Sequence, residues 1–397
     1  MSGSSSTRPA PHVLPTIVAA QFAGTSVWFV GNAVLPDLAH HWSGISGALA
    51  WVTSSVQLGF IAGTLLFAFS GLSDRVRSHH LFAVSAVLAA ASNAASMLAP
   101  ESFTWFMAMR VLTGVSLAGV YPVGMKLAAS WFRDGLGSAI GFLVGALVLG
   151  TAFPQLLRSF AFDPGSLVLT ASGLALAGGI AVVWTVPEGP GVGRGQPGSI
   201  RDALDLFSIR GFRSAALGYF GHMWELYAFW AFVPFAVRMV AGPDAGDGRW
   251  AFAIIGAGGL GCITGGIASR RWGSARVAAF LLAGSGTCCL LSPLLLSYGS
   301  AGVGLAFLVL WGMMAAGDSP QFSAIAARSA PPEKVGTGLT VMNALGFALT
   351  IPAISLLTWV APRIPQGWLF MFLLPGPVLG VWGLRHVLRA DPTRMRT

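Results

Sequence analysis

The sequence predicts an all-α membrane protein with twelve transmembrane helices in two six-helix bundles. Of its 397 residues, 54% are hydrophobic and only 9% are charged, and the mean hydropathy is +0.72. A soluble protein of this length would lack the polar residues needed to cover its surface. The 52 glycines and 14 tryptophans agree with this prediction, because glycine is frequent within membrane helices and tryptophan at their ends.

Twelve apolar segments have the length that a membrane requires. A helix rises 1.5 Å per residue, so about twenty residues cross roughly 30 Å of hydrocarbon. The segments lie near 13–35, 48–69, 80–99, 103–128, 136–157, 166–186, 214–240, 250–269, 277–297, 301–327, 337–360 and 367–387. The longest polar connection, 188–213, is predicted to be a linker that divides six helices from six. The predicted parts are thus a tail (1–12), a first bundle (13–187), the linker (188–213), a second bundle (214–388) and a second tail (389–397).

The basic residues are distributed unevenly between the two sides. Of the 23 Lys and Arg residues, 18 fall on the side of the N terminus, whereas Arg158, Arg238, Arg249 and Arg363 fall on the other. Because basic loops stay in the cytoplasm, we expect a multi-pass protein of the inner membrane with both termini and the linker cytoplasmic. The same distribution accounts for the net charge of +9. Nucleic acid as a partner is excluded, since no basic run is interleaved with aromatic residues.

Two stretches in opposite halves resemble each other. Tyr121-Pro122 follows Gly119 and Val120 near the end of the fourth predicted helix, and Ser319-Pro320 follows Gly317 and Asp318 in the tenth. Their positions are equivalent in a layout of six helices plus six, which favours an internal duplication.

The loop between the second and third helices carries a motif. Residues 70–80 read Ser-Gly-Leu-Ser-Asp-Arg-Val-Arg-Ser-His-His. This resembles the signature loop of the major facilitator superfamily, Gly-x-Leu-Ala-Asp-Arg-x-Gly-Arg-Arg, and matches it at Leu72, Asp74 and Arg75. The resemblance implies two six-helix bundles around a central cavity that opens alternately to each side. It implies a secondary transporter and names no substrate.

The loop motif also predicts a conformational latch. Asp74 and Arg75 lie at the cytoplasmic end of a helix, where Asp74 can meet a helix N-terminus of the other half or a basic residue such as Arg133. Such contacts would break when the cavity opens inward. In the alternative interpretation these residues are ordinary interfacial charges.

Arg110 lies within the fourth predicted helix, and its spacing to Gly114 is similar to the superfamily's Arg-x-x-x-Gly pattern. A guanidinium within a membrane cannot lose its charge, so it requires an acid, a cage of carbonyl groups or an anionic ligand. Three roles stay open for Arg110. The first role is to bind the anionic part of a substrate. The second is to pair with a carboxylate and control its protonation, and the third is to form a permanent buried pair.

Three other ionisable side chains lie within predicted helices. His222 and Glu225 are three residues apart in the seventh helix and therefore share a face. Two groups that can gain and lose a proton near the middle of the membrane suit proton coupling. Asp318 precedes Pro320 in the tenth helix, where a proton or cation site competes evenly with a structural role in breaking the helix.

Further polar and aromatic residues are candidates for binding the substrate. In the alternative interpretation they join and pack helices. They are Gln21, Thr25 and Trp28 in the first helix, Tyr219, Trp224 and Tyr227 in the seventh and Asn343 in the eleventh.

These residues favour a proton-coupled transporter of a small organic or inorganic anion. Arg110 is then the anion anchor, and Glu225 with His222 carries the proton. Export of cationic or amphipathic drugs, attracted by Glu225 or Asp318, is the alternative. A membrane-embedded enzyme is disfavoured, since no nucleophile motif or metal-ligand cluster occurs. No phosphate-binding loop for ATP occurs either. We expect no cofactor and a monomer surrounded by lipid.

Overall fold

The computed structural model describes residues 10–132, 136–190, 200–242, 248–331 and 334–389, and in these ranges the regular structure is helical. The α-helices are α1 (Val13–Thr25), α2 (Val30–Leu38), α3 (Ala48–Ser70), α4 (Leu72–Arg75), α5 (Ser78–Ala95), α6 (Phe103–Leu117), α7 (Tyr121–Trp131), α8 (Leu136–Arg158), α9 (Pro164–Thr185), α10 (Ile200–Leu206), α11 (Arg210–Ala241), α12 (Arg249–Trp272), α13 (Ser274–Tyr298), α14 (Ala301–Gly317), α15 (Ser319–Ser329), α16 (Val335–Val360) and α17 (Pro375–Arg389). A 3-10 segment, Gln366–Leu373, precedes α17.

These helices form the twelve predicted spans. Eleven segments of the described chain are long and apolar enough to cross a membrane. The seventh span, α11, is the longest helix at 32 residues and is buried along most of its length. Its hydropathy is lower because its middle carries His222 and Glu225 among tyrosines and tryptophans. The twelve helices of the predicted fold are thus confirmed, with ends within about four residues of the predicted segments.

Three helices begin with side-chain caps on the same face of the bundle. Ser102, Asp163 and Ser300 precede α6, α9 and α14, and each accepts a hydrogen bond from a backbone N–H of the first turn. Such caps satisfy donors that have no partner within the helix. Hydrogen bonds from the side chain and backbone of Ser166 lower the pKa of the Asp163 carboxyl. We call this the distal face; it carries residues 39–47, 98–102, 158–163, 299–300 and 361–365.

The first, fourth and tenth spans are each interrupted. The interruptions lie at residues 26–29 between α1 and α2, at 118–120 between α6 and α7, and at Asp318 between α14 and α15. Pro122 and Pro320 lie in the first turns of α7 and α15, where the missing N–H of proline costs no hydrogen bond. The two stretches that resemble each other in the sequence therefore begin helices of the same length, 11 residues each.

Two pairs of spans connect the halves. Helix α3 packs against α16, and α8 packs against α12. Gly145 of α8 and Gly259 of α12 allow a close approach, because a Cβ added to Gly145 would lie 3.3 Å from the carbonyl oxygen of Gly259. Small residues bring membrane helices near enough for backbone contact in this way.

The halves also meet at the distal face, through two glycines with positive φ. Gly248 (φ +77°) lies against the end of α8, so that an added Cβ would be 2.0 Å from the carbonyl oxygen of Gln155. Gly47 (φ +72°) faces α16 with more room, since its Cβ would be 3.6 Å from the Thr358 methyl. The distal face is therefore closed in this structure, and Gly248 makes the tighter contact.

Candidate functional site

A small cavity lies between the halves, beside the interruptions of the fourth and tenth spans. The cavity has a volume of about 20 Å³, which is enough for one or two water molecules. Aliphatic side chains form part of its wall. The other lining residues include Tyr121 of α7, Tyr219, His222, Tyr227 and Trp230 of α11 and Phe347 of α16.

Aromatic rings from both halves pack around this cavity. The ring of Trp28, at the interruption of the first span, is stacked on Phe347 with centroids 5.6 Å apart and an interplanar angle of 24°. Tyr227 lies 5.1 Å from both Phe347 and Trp230, and Phe60 lies 4.5 Å from Phe347. Aromatic pairs are favourable at these separations. We call these five residues the ring cluster.

His222 contacts Asp318 at the edge of the cavity. Its Nδ1 lies 2.7 Å from Oδ1 of Asp318, and both side chains are 0% exposed. The distance is that of an ion pair, but the angle is not that of a hydrogen bond. Among the described residues, Nε2 of His222 and Oδ2 of Asp318 have no hydrogen-bond partner. The interruption at Asp318 thus places a buried acid beside the imidazole that lines the cavity.

Glu225 lies in a separate pocket between the seventh, ninth and tenth spans. Trp311 Nε1 donates to its Oε1 at 2.6 Å, and the Ser285 hydroxyl donates to its Oε2 at 2.7 Å. Cys289 Sγ lies 3.6 Å from Oε1. Glu225 therefore has donors on both oxygens, and it does not line the cavity.

Arg110 is held within the first half and is 1% exposed. One terminal nitrogen donates to Asn93 Oδ1 at 2.8 Å, and the other donates to the carbonyl oxygens of Val27, at 3.0 Å, and Trp28. These carbonyls lie in the interruption that follows α1, where they have no helical partners, and a cation is favourable near a helix C-terminus. Asn93 in turn donates to the Ser172 hydroxyl at 2.9 Å. Arg110 thus ties the first, third, fourth and sixth spans together.

The sequence profile of the Major Facilitator Superfamily matches residues 17–355, most of the chain. The chain belongs to this superfamily. The family that residues 70–80 indicate is therefore confirmed. The expectation of a membrane transporter rather than an enzyme agrees with this family.

Two curated relatives share part of this superfamily chain. The niacin transporter NiaP of Acinetobacter baylyi is 28% identical over 145 residues, which are 34% of this chain and 32% of that protein. Solute carrier family 22 member 7 of Sus scrofa is 34% identical over 131 residues, or 32% of this chain and 24% of that protein. The matched segment thus spans about a third or less of these relatives.

Solved superfamily structures have the same fold along nearly the whole chain. The human organic anion transporter MFSD10 superposes with a TM-score of 0.74 at 16% identity, covering 95% of this chain and 100% of that one. The Escherichia coli fucose:proton symporter FucP superposes with a TM-score of 0.65 at 16% identity, covering 94% and 98%. At such identities the likeness concerns the fold alone.

The candidate substrate residues of this superfamily member lie in different places. Tyr219 and Tyr227 line the cavity, and Trp28 belongs to the ring cluster. Trp224 points away, because its indole N–H donates to the carbonyl oxygen of Phe372 at 3.2 Å. Asn343 is half-buried and does not line the cavity.

Two further candidates lie within the first half. The Thr25 hydroxyl donates to the carbonyl oxygen of Gln21 in its own helix at 2.8 Å and lies against Gly150 of α8. Gln21 is fully buried against Gly124 of α7. Both therefore occupy contacts between helices, which is the alternative interpretation given to these candidates from the sequence.

The latch residues stay a prediction. Arg75 is exposed at the end of α4. The side chain of Asp74 and the whole of Arg133 lie outside the described residues.

Several residues of these sites were missed in the sequence. Ser285 and Trp311 hold Glu225, and Asn93 holds Arg110, but each is an ordinary residue of an apolar segment. Tyr121 and Phe347 line the cavity from different halves. One signal could have found Tyr121, because the whole chain has only 4 tyrosines and three of them meet at this cavity.

Proposed function

We propose that this transporter moves a small organic anion together with a proton by alternating access. The observation that carries the proposal is the buried contact between His222, which lines the cavity, and Asp318 behind it. Both can change protonation, and both are enclosed in protein at the interface of the halves.

Charge balance explains why such a pair favours an anion with a proton. A buried His222 cation and Asp318 anion are together neutral, so adding a substrate anion would leave one uncompensated charge in a region where this is costly. A proton on Asp318 restores neutrality, and His222 is then free to pair with the substrate. Binding of the anion and of the proton therefore support each other.

Glu225 is the second proton site of the proposal. The Ser285 hydroxyl has one hydrogen but two acceptors in reach, Glu225 Oε2 at 2.7 Å and the Leu282 carbonyl oxygen at 3.0 Å. An ionised Glu225 accepts that hydrogen. A protonated Glu225 donates to the hydroxyl oxygen, which then donates to Leu282. Both protonation states thus keep their hydrogen bonds, as a reversible proton carrier requires.

The anchor for the anion moves from Arg110 to His222 in this proposal. The terminal nitrogens of Arg110 already donate to Asn93 and to two backbone carbonyls, and its side chain does not line the cavity. One curated relative supports an anion, because it is named a niacin transporter.

Export of cationic or amphipathic drugs remains the second candidate. Asp318 and the aromatic walls favour it, because a cation is attracted both by a carboxylate and by the faces of aromatic rings. The two candidates differ in which solutes move protons.

The test uses purified protein in proteoliposomes with an internal pH dye. We expect added small carboxylates to acidify the interior, and we expect His222→Gln, Asp318→Asn and Glu225→Gln each to reduce this signal to near background. Glu101→Gln, an exposed acid on the distal face, is the matched control and retains it. Proton movement with cationic drugs but not with carboxylates would contradict the anion proposal.

A further inference from the structure

Two indole groups beside the cavity are hydrogen-bond donors without acceptors. The indole N–H groups of Trp28 and Trp230 are buried and have no partner among the described residues. Tyr121, Tyr219 and Tyr227 line the same cavity, and their phenol hydroxyls can donate as well. A tryptophan N–H can only donate, and a buried donor without an acceptor is costly. The site is therefore suited to a ligand that supplies acceptors.

The carbon surface around the same cavity is aromatic on several sides. Phe347 is in contact with Trp28, Tyr227 and Phe60 of the ring cluster. These residues come from the second, first, seventh and eleventh spans, so the rings separate when the halves move apart. A planar ring that enters between them replaces the contacts between aromatic faces that are lost.

The size of the cavity limits the ligand. In this closed arrangement it holds one or two waters, so the rings must part before a solute enters. A single flat ring requires the smallest separation of the walls, whereas a bulky or puckered skeleton requires more.

We propose that the substrate is a small aromatic carboxylate with one planar ring. Its ring stacks against Phe347 and Tyr227, and its carboxylate accepts hydrogen bonds from Trp230, from the phenol hydroxyls and from His222. This inference rests on the proposed function, because it names the class of anion for the same site. It adds a requirement that the transport proposal lacks, namely an aromatic face in the solute.

The experiment compares two acids that share the carboxylate and nearly share their volume. Radiolabelled benzoate is bound to the purified full-length protein in detergent and is displaced by unlabelled benzoate or by cyclohexanecarboxylate, which has no aromatic face. We expect benzoate to bind about tenfold more tightly than cyclohexanecarboxylate, because its ring can stack on two aromatic faces.

Substitutions in the ring cluster separate stacking from hydrogen bonding. Phe347→Leu and Tyr227→Leu remove a ring, so we expect the ratio of the two affinities to fall towards one. Tyr227→Phe keeps the ring and removes the hydroxyl, so both acids bind more weakly while the ratio stays. Tyr298→Phe is the control, because Tyr298 is 85% exposed and remote from the cavity.

The outcomes distinguish this inference from the proposed function. Equal affinities for the two acids, or no binding of benzoate, overturn the aromatic preference. If both acids acidify proteoliposomes equally, the proposed transport stands and the inference fails. If benzoate binds tenfold better without moving protons, the inference stands and proton coupling fails.

Discussion

At the scale of single residues, Arg110 shows how a charge is accommodated within a membrane protein. The guanidinium fork donates to Asn93 and to the carbonyls of Val27 and Trp28. The carbonyls would otherwise lack hydrogen bonds at the interruption of the first span, which the hydrocarbon core does not tolerate. Two stabilising contacts therefore depend on one another: the charge has a polar cage, and the broken helix has a donor.

Substitution of Arg110 is expected to lower the stability of the protein and to have less effect on its affinity for the substrate. Arg110→Ala leaves two carbonyls and Asn93 Oδ1 without a donor, at about 1–3 kcal/mol for each buried group. Arg110→Lys keeps the charge but cannot reproduce the fork. We expect both to lower Tm by about 5 °C or more, measured by thermal unfolding in detergent, with the exposed Arg238→Ala as control. An unchanged Tm together with lost binding of carboxylates would instead identify Arg110 as the anion anchor.

At the scale of elements, interrupted helices build the site. The interruption between α14 and α15 places Asp318 beside His222, and that between α1 and α2 places Trp28 in the ring cluster and its carbonyl on Arg110. Irregular backbone at membrane depth is stable only where other groups satisfy it. The same interruptions put polar and aromatic groups at the interface between the halves.

Contacts between loop ends and helices are expected to control opening of the distal face. Gly248→Ala places a methyl group 2.0 Å from the Gln155 carbonyl oxygen, so the halves must stay farther apart there. We expect a cysteine introduced at Ala33, which lines the small distal cavity beside Gly248, to react severalfold faster with a maleimide in this variant.

Gly47→Ala is the matched control for Gly248→Ala. It carries the same strain of a positive φ, but its Cβ has room at 3.6 Å from Thr358. Equal acceleration in both variants would attribute the effect to backbone strain and contradict a role for the Gly248 contact.

At the scale of the whole molecule, the cavity lies at the interface between the two halves. The cavity is formed by residues of both halves, with Tyr121 on one side and His222 and Phe347 on the other. In the proposed alternating access, rigid movement of one half against the other would therefore change the cavity as a unit. The orientation follows, as a prediction, from the basic loops.

Cysteine labelling tests this orientation. The three native cysteines are buried, so background labelling is low. Ser300→Cys lies on the distal face and Ser208→Cys precedes α11 at the other face, and both positions are exposed. We expect an impermeant maleimide to label Ser300→Cys on intact cells and Ser208→Cys only after lysis. The reverse pattern would overturn the prediction that both termini are cytoplasmic.

The sequence by itself determined the spans, their number and the family. Hydropathy over about twenty residues is a local property, so the positions of the helices follow from neighbouring residues alone. The signature loop at residues 70–80 is likewise local. Even α11 was predictable from its flanking apolar residues, although its polar middle lowers its hydropathy.

Only the tertiary structure decided which polar groups meet. His222 and Glu225 share a face of α11, yet His222 contacts Asp318 and Glu225 contacts Trp311. Arg110 finds backbone carbonyls, which no side-chain pattern can reveal. Helix spacing tells which residues share a face, but the partner on that face depends on how the neighbouring spans are rotated and packed, and this is decided by contacts between residues far apart in the chain.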